Sequence, residues 1–228
     1  MVDQTLPEQI AAQLRRDILR GKLPSGSAIK ERDNATEMGV SRTPMREAIR
    51  ILAKEGLVIL RPSRSPLVAK PVFDEIADQV AVLLALEKLS AELACERATA
   101  EEISALWAIN DQMAELYYTA DTLDLFEIDM SFHTAIAAAS HNAALAETHR
   151  AYLARLWRAR YLSASQRRNR ERVIRQHSDI LKALETRDAA AVSAAIDRHL
   201  GNLAEDIRPV IEEETQTNEN STIAGDIE

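Results

Sequence analysis

Apolar positions in the first seventy residues recur at helical spacing and then switch to short β-branched runs. Ile10, Leu14, Ile18 and Leu19 share one face of a predicted helix over 5–20, with Arg15, Arg16 and Arg20 opposite and Gly21 as its stop. Leu23-Pro24-Ser25-Gly26-Ser27 reads as a turn. Glu31 to Met38 predicts a second short helix. Gly39 suits the positive φ that ends it, Ser41 takes the N-cap position of a third helix, and Pro44 lies in that helix's first turn. Met45, Ala48, Ile49, Leu52 and Ala53 form the apolar back of this third helix, which Gly56 closes. Its other face opens with Arg42, Thr43 and Arg46. Two strand-like runs, Leu57 to Leu60 and Leu67 to Ala69, flank the basic turn Arg61-Pro62-Ser63-Arg64-Ser65-Pro66 and predict a hairpin, or wing. Helix, turn, helix and wing form a DNA-binding arrangement in which the third helix enters the major groove.

From Val72 the pattern is helical nearly throughout, with helices predicted at 74–97, 101–119, 122–140, 143–164, 169–186 and 188–210. Short connections make this an all-α bundle. The domain boundaries read as 1–71 for the winged helix-turn-helix and 72–211 for the bundle. The polar, acidic tail over 212–228 is expected to lack structure. Three bundle helices carry ionisable residues on their apolar stripes: Phe126, Asp129, His133, Ile136; Val173, His177, Ile180, Leu184; and Val192, Ile196, His199, Leu203. For any single histidine, a core imidazole bonded to a carbonyl is the commoner arrangement. Four such residues on inward stripes favour a shared divalent cation, since bare burial is costly. Three neutral imidazoles and one carboxylate suit Zn, Ni, Mn or Fe, with positions left for water or a ligand. His141 and His149 fit no stripe and are expected at the surface. The cluster Arg167, Arg168, Arg170, Arg172 reads as a solvated helix start or loop.

The net charge of −8 hides an asymmetry. Residues 1–72 carry 13 Lys+Arg against 8 Asp+Glu, whereas residues 73–228 carry 15 against 28. A basic amino-terminal part on an acidic remainder places phosphate contact in the former. Aromatic residues make up 4% of the chain, too few for a surface that stacks single-stranded bases. The lone Cys95 excludes an intrachain disulfide and a multi-cysteine metal site, and its alanine-rich surroundings predict buried packing. With no membrane-length apolar run and no signal-peptide pattern, a soluble cytoplasmic protein is expected.

The motifs I-L-R-G-K-L-P-S-G, G-V-S-R-T-P-M-R-E-A-I-R-I-L and E-G-L-V closely resemble the amino-terminal domain of the GntR family of bacterial transcription regulators. The resemblance covers residues 5–70. It implies that Arg32, Arg42, Arg46 and the wing around Arg61, Arg64 and Ser65 contact operator DNA, with Ser41 and Thr43 on phosphate or base edges. The chain departs from the family at D-N-A-T-E-M-G-V in the second helix and at Ser65-Pro66 in the wing, where glycine is common. Residues 74–207 resemble the FCD effector domain of the FadR subfamily. D-M-S-F-H, Q-H-S-D-I-L and D-R-H-L match its metal-binding pattern, which implies that Asp129, His133, His177 and His199 hold the cation beside a small effector, often an organic acid. An arginine that can meet the effector's carboxylate is replaced here by Leu83, so either Arg150, Arg155 or Arg158 takes that role or the ligand is less charged.

Together these readings predict a homodimeric regulator, more naturally a repressor. It binds double-stranded operator DNA and responds to a small molecule, in the first instance a carboxylate. Two other classes share the metal pattern: a metal-dependent hydrolase, and a sensor in which the cation itself is the signal. The hydrolase lacks a separate general acid or base and leaves the winged domain unexplained.

Overall fold

The computed structural model describes residues 4–166 and 170–225, with side chains described through Gln216 except at Arg170. The chain divides into two compact units, Met1–Pro71 and Val72–Glu228.

In the first unit, α1 (Leu6–Leu19), α2 (Glu31–Glu37) and α3 (Arg42–Lys54) precede a two-stranded antiparallel sheet of β1 (Val58–Ile59) and β2 (Leu67–Val68). At the start of α1 the Glu8 carboxylate accepts from the Thr5 backbone N–H at 2.8 Å, tying down an otherwise unpaired helix terminus. Gly39 at φ 66° and Gly56 at φ 75° end α2 and α3 in the left-handed conformation that glycine adopts without a Cβ clash. The predicted apolar faces meet: Ile10, Leu14, Ile18, Met45, Ala48, Ile49 and Leu52 share one buried core with Ile29, Leu57 and Val68. Val58 pairs with Val68 and Ile59 with Leu67, and Ala28 bridges to the far side of Leu67. The wing is thereby anchored to the α1–α2 connection.

The second unit is all helical: α4 (Phe73–Arg97), α5 (Ala100–Glu115), α6 (Thr122–Ala139), α7 (Ala143–Gln166), α8 (Arg170–Glu185), α9 (Ala189–Leu200) and α10 (Leu203–Gly225). The long α4 packs against α6, α7, α8, α9 and α10 and so lies at the centre. Its stripe Ala91, Ala94 and Cys95 joins Phe132, Ile136, Ile180, Leu184, Val192 and Ile196 in one apolar core, with Cys95 buried as its neighbours predicted. None of the helices in the described residues is long and apolar enough to cross a membrane.

The bundle differs from the sequence reading in two places. The helix expected over 188–210 is two helices, broken after Leu200 at Gly201, where the chain passes so close to the Asp197 carbonyl oxygen that a Cβ would lie 2.5 Å from it and only glycine fits. Apolar periodicity runs through this turn and concealed it. Beyond Glu212, where structure was expected to end, α10 continues to Gly225. Here the acidic composition conceals a specific pair, since Arg158 Nη1 donates to Glu214 Oε2 at 2.6 Å. Arg167 and Arg168 lie outside the described residues.

Candidate metal centre and nucleic-acid interface

In the winged unit, Arg32, Ser41, Arg42, Thr43 and Arg46 are all exposed on α2, α3 and the turn between them. The Ser41 side chain makes no capping hydrogen bond, so its hydroxyl is not spent on the helix it precedes. Arg46 is steered by Glu31, whose Oε2 accepts from Nε at 2.8 Å, leaving the two Nη groups to point outward. In the wing Arg61 folds inward: its Nε and Nη2 donate to the Ser65 carbonyl at 2.9 and 2.7 Å. Arg61 therefore braces a turn in which Ser63 takes φ 55°, and exposed Arg64 and Ser65 occupy the tip.

In the bundle, α6, α8 and α9 bring Asp129, His133, His177 and His199 together, with one ligand atom from each lying within 4.8 Å of all the others. His199 Nε2 lies 3.3 Å from His177 Nε2 and 3.4 Å from His133 Nε2. Asp129 Oδ1 lies 3.2 Å from His177 Nε2 and 3.7 Å from His133 Nε2, yet satisfies no hydrogen bond. These atoms face a common point rather than one another. A cation held tetrahedrally by imidazoles at about 2.0–2.1 Å has ligand–ligand edges of about 3.3–3.4 Å, which the two His199 distances match, while the spread of up to 4.8 Å requires the set to draw in around an ion.

The surroundings fix the tautomers that ligation needs. Glu87 on α4, fully buried, accepts from His133 Nδ1 at 3.1 Å and from His149 Nε2 at 2.9 Å. Gln176 Oε1 accepts from His199 Nδ1 at 3.2 Å, and its amide is itself oriented by the Arg198 carbonyl. Phe132 stacks on His177 with ring centroids 4.0 Å apart. The two hydrogen bonds leave an Nε2 lone pair on His133 and on His199 for the cluster, the outer-shell support typical of metal-binding histidines, whereas His177 Nδ1 is buried without a hydrogen-bond partner. Burial pushes the Asp129 carboxyl up, but His177, His133 and Arg160 outweigh it and hold it well below the usual range. Burial likewise raises Glu87, and His133 and His149 more than offset that. Burial lowers His177 and His199, keeping both imidazoles neutral.

A cavity of about 110 Å³ adjoins the cluster. Asp129, His199, Gln176, Arg160 and Arg172 line its polar side, and Met113, Leu125, Phe126, Leu200 and Leu203 its apolar side. None of the three arginines expected there contributes. Arg150 is exposed, Arg155 is exposed with its guanidinium 5.0 Å over the Tyr152 ring, and Arg158 pairs with Glu214. Arg172, expected in solvent, faces the cavity instead.

His149, placed at the surface by the sequence reading, is fully buried, whereas His141 is exposed as expected and pairs with Glu102. Glu87, His149 and Arg160 were missed, although the pattern marks them. Glu87 lies on the α4 stripe Val80, Leu83, Glu87, Ser90, and the other two on the α7 stripe Leu145, His149, Leu153, Leu156, Arg160.

A winged helix-turn-helix with an arginine-rich recognition face, joined to a helical bundle with a donor cluster beside a cavity, has the build of a DNA-binding transcription regulator. The chain belongs to the GntR family: residues 6–68 match the bacterial regulatory proteins of the gntR family, and residues 78–202 match the FCD domain. The HTH-type transcriptional repressor RspR of Escherichia coli is 30% identical over 210 residues, 92% of each chain. The Nta operon transcriptional regulator of Aminobacter aminovorans is 28% identical over 200 residues, covering 86% of this chain and 93% of that one. Among solved structures, E. coli McbR/YncC shares the fold, with a TM-score of 0.73 at 20% identity over 95% of this chain and 100% of that one. The protein is thus a DNA-binding transcriptional regulator with an effector domain, not an enzyme.

The depressed His177 and His199 values have a sign that can be tested. Between those values and the ordinary histidine value of about 6.5, the unfolded chain binds more protons than the folded one. Their contribution to stability is therefore complete above about pH 6.5 and falls as pH falls. Chelator-treated protein is expected to melt at steadily lower temperature from about pH 7 to about pH 5 in a thermal scan. A flat profile across that window contradicts neutral, buried imidazoles.

Proposed function

We propose that the protein is a homodimeric, metal-containing repressor of the FadR subfamily that binds operator DNA through α3 and the wing. Its bundle holds one divalent cation, Zn, Ni, Mn or Fe, on Asp129, His133, His177 and His199, and a small organic acid in the adjoining cavity. The observation that carries this reading is the convergence of four ligand atoms beside a partly apolar cavity. When bound, the cation supplies positive charge and open coordination positions. The cavity favours an effector over the cation alone as the signal. The repressor name of RspR supports repression, and a DNA-binding role implies a cytoplasmic location.

Elemental analysis tests the metal. Protein soaked in Zn, Ni or Mn and desalted is expected to hold one equivalent in the wild type and in His141→Ala, and far less in His177→Ala. A wild type without stoichiometric metal reduces the cluster to a hydrogen-bonded polar core.

Operator binding at fixed salt tests the interface. Arg42→Ala and Arg46→Ala are each expected to cost about 1–3 kcal/mol where the side chain pairs bidentately with a base. Arg64→Ala is expected to lower the salt dependence by about one counterion through a lost phosphate contact. Unchanged binding in all three removes α3 and the wing from the DNA.

Dimerisation has a candidate surface on α4, where Ala81, Val82, Ala85 and Leu89 are exposed along one side, Val82 at 40% and Leu89 at 44%. An apolar stripe of this kind on a long helix suits a second copy, and two-fold proteins read two-fold operators. Leu89→Glu is expected to shift sedimentation from dimer to monomer without loss of helicity. A variant that remains dimeric places the interface elsewhere.

A further inference from the structure

Arg160 sits where two demands conflict. It is 6% exposed, on the inward stripe of α7. Its Nη2 donates to His133 Nε2 at 3.2 Å and lies 4.0 Å from Asp129 Oδ2, while its Nη1 is buried with no hydrogen-bond partner. Because the His133 Nδ1–H is committed to Glu87, Nε2 carries the ring's one available lone pair. That lone pair can accept from the guanidinium or ligate a cation, but not both. Two cations this close in a poorly solvated site also repel strongly. A divalent ion on His133 therefore drives the guanidinium away, and the cavity that Arg160 already lines offers the space.

Charge accounting leads to the same place. Asp129 and Glu87 are two carboxylates against the single Arg160, and across the cavity Arg172 and Asp206 offset each other. One negative charge is left over without a divalent cation, and one positive charge with it. A single carboxylate restores neutrality, whereas a dianion overshoots. The apolar wall of Met113, Leu125 and Phe126 suits a short carbon chain. An apolar cavity of about 150 Å³ takes benzene, so one of about 110 Å³ suits a ligand of roughly four to six non-hydrogen atoms.

We propose that Arg160 couples metal to effector: it competes with the divalent cation for His133 and, once displaced, turns its unused donor edge into the cavity to hold the carboxylate of a small monoanion. This assignment rests on the effector-cavity reading above. It makes carboxylate affinity conditional on the metal and, by linkage, metal affinity conditional on the carboxylate. It also gives α7 the recognition role left open by Leu83.

The test is calorimetric titration of full-length wild type, Arg160→Met and Arg160→Lys. The titrants are Zn²⁺ alone and then acetate, propionate, their uncharged amides and malonate, each on Zn-loaded and chelator-stripped protein. Zn-loaded wild type is expected to bind acetate or propionate, the amides and malonate at least about tenfold more weakly, and the stripped protein none of them. Arg160→Met is expected to bind Zn²⁺ about tenfold more tightly, having lost the competing charge, and to lose carboxylate binding. This opposite pair of effects is one that a merely structural arginine does not produce. Arg160→Lys, which keeps the charge and folds independently of the Met variant's fate, is expected to bind Zn²⁺ like wild type and carboxylate about fivefold more weakly for want of the planar fork. Zn²⁺ affinity unchanged or reduced in Arg160→Met, or carboxylate affinity unchanged in both variants, overturns the role of Arg160 while leaving the effector cavity standing. A Zn-loaded wild type that binds no carboxylate overturns the effector reading and this inference together.

Discussion

Buried charge that must be neutralised within a helical bundle is the constraint on which the sensor unit depends. Glu87 is a carboxylate with no access to water and Asp129 one with only 15% of its side chain exposed, and a buried ion costs several kcal/mol unless paired and hydrogen-bonded. Glu87 is satisfied within the fold by two imidazoles. Asp129 is not: its Oδ1 faces imidazole nitrogens without completing a hydrogen bond. His177, His133 and Arg160 stabilise its charge, but the chain alone leaves that oxygen without a hydrogen bond. Replacing such a cluster with apolar residues is often neutral or stabilising, so its presence points to function rather than to stability.

The cluster is placed by rigid elements rather than by loops. Asp129 and His133 are one helical turn apart on α6, and α8 and α9 each contribute one further ligand. The N-caps help set where α6 and α9 begin: Asp121 accepts from Leu123 N and Asp188 from Ala191 N, each at 2.9 Å. Ligands on packed helices hold their spacing to within a few tenths of an ångström, which a metal site requires. A bound molecule can then influence DNA affinity only through its differential affinity for alternative arrangements of the chain. A cavity whose lining includes both a cation ligand and a helix-borne arginine is suited to generate such a difference.

Much of this was legible in the sequence because helical periodicity is a strong signal over long segments. The α1 and α3 faces, the hairpin and the Asp129, His133, His177, His199 stripe positions all follow from spacing, as does burial of Cys95. Other features failed for identifiable reasons. Arg158 and Arg160 differ by two positions, about 200° around a helix, so choosing the wrong one of the two exchanges the face that meets Glu214 of α10 for the one that meets the cavity. His149 was assigned to no stripe, although Leu145 and Leu153 lie one turn away on either side. Arg61, assigned to operator DNA by resemblance, also donates to the Ser65 carbonyl, a brace that depends on backbone geometry and leaves no sign in the sequence. The break at Gly201 and the Arg158–Glu214 pair depend on a close backbone approach and a long-range contact, and neither leaves a periodic trace.

The charge split along the chain bears on both binding events. Residues 73–228, with 28 acidic against 15 basic side chains, repel phosphate and confine DNA contact to the basic first 72 residues. The same acidity opposes entry of an anionic effector. At physiological ionic strength, however, charges beyond about 8 Å are largely screened, so the field inside the cavity is set by its nearest groups. There Arg160 and Arg172 face Asp129 and Asp206, and a divalent cation on the cluster tips the balance to positive. On the proposed reading, an acidic bundle would accept an anion at this one point without acquiring general affinity for polyanions, and the local reversal of sign would separate effector recognition from DNA recognition.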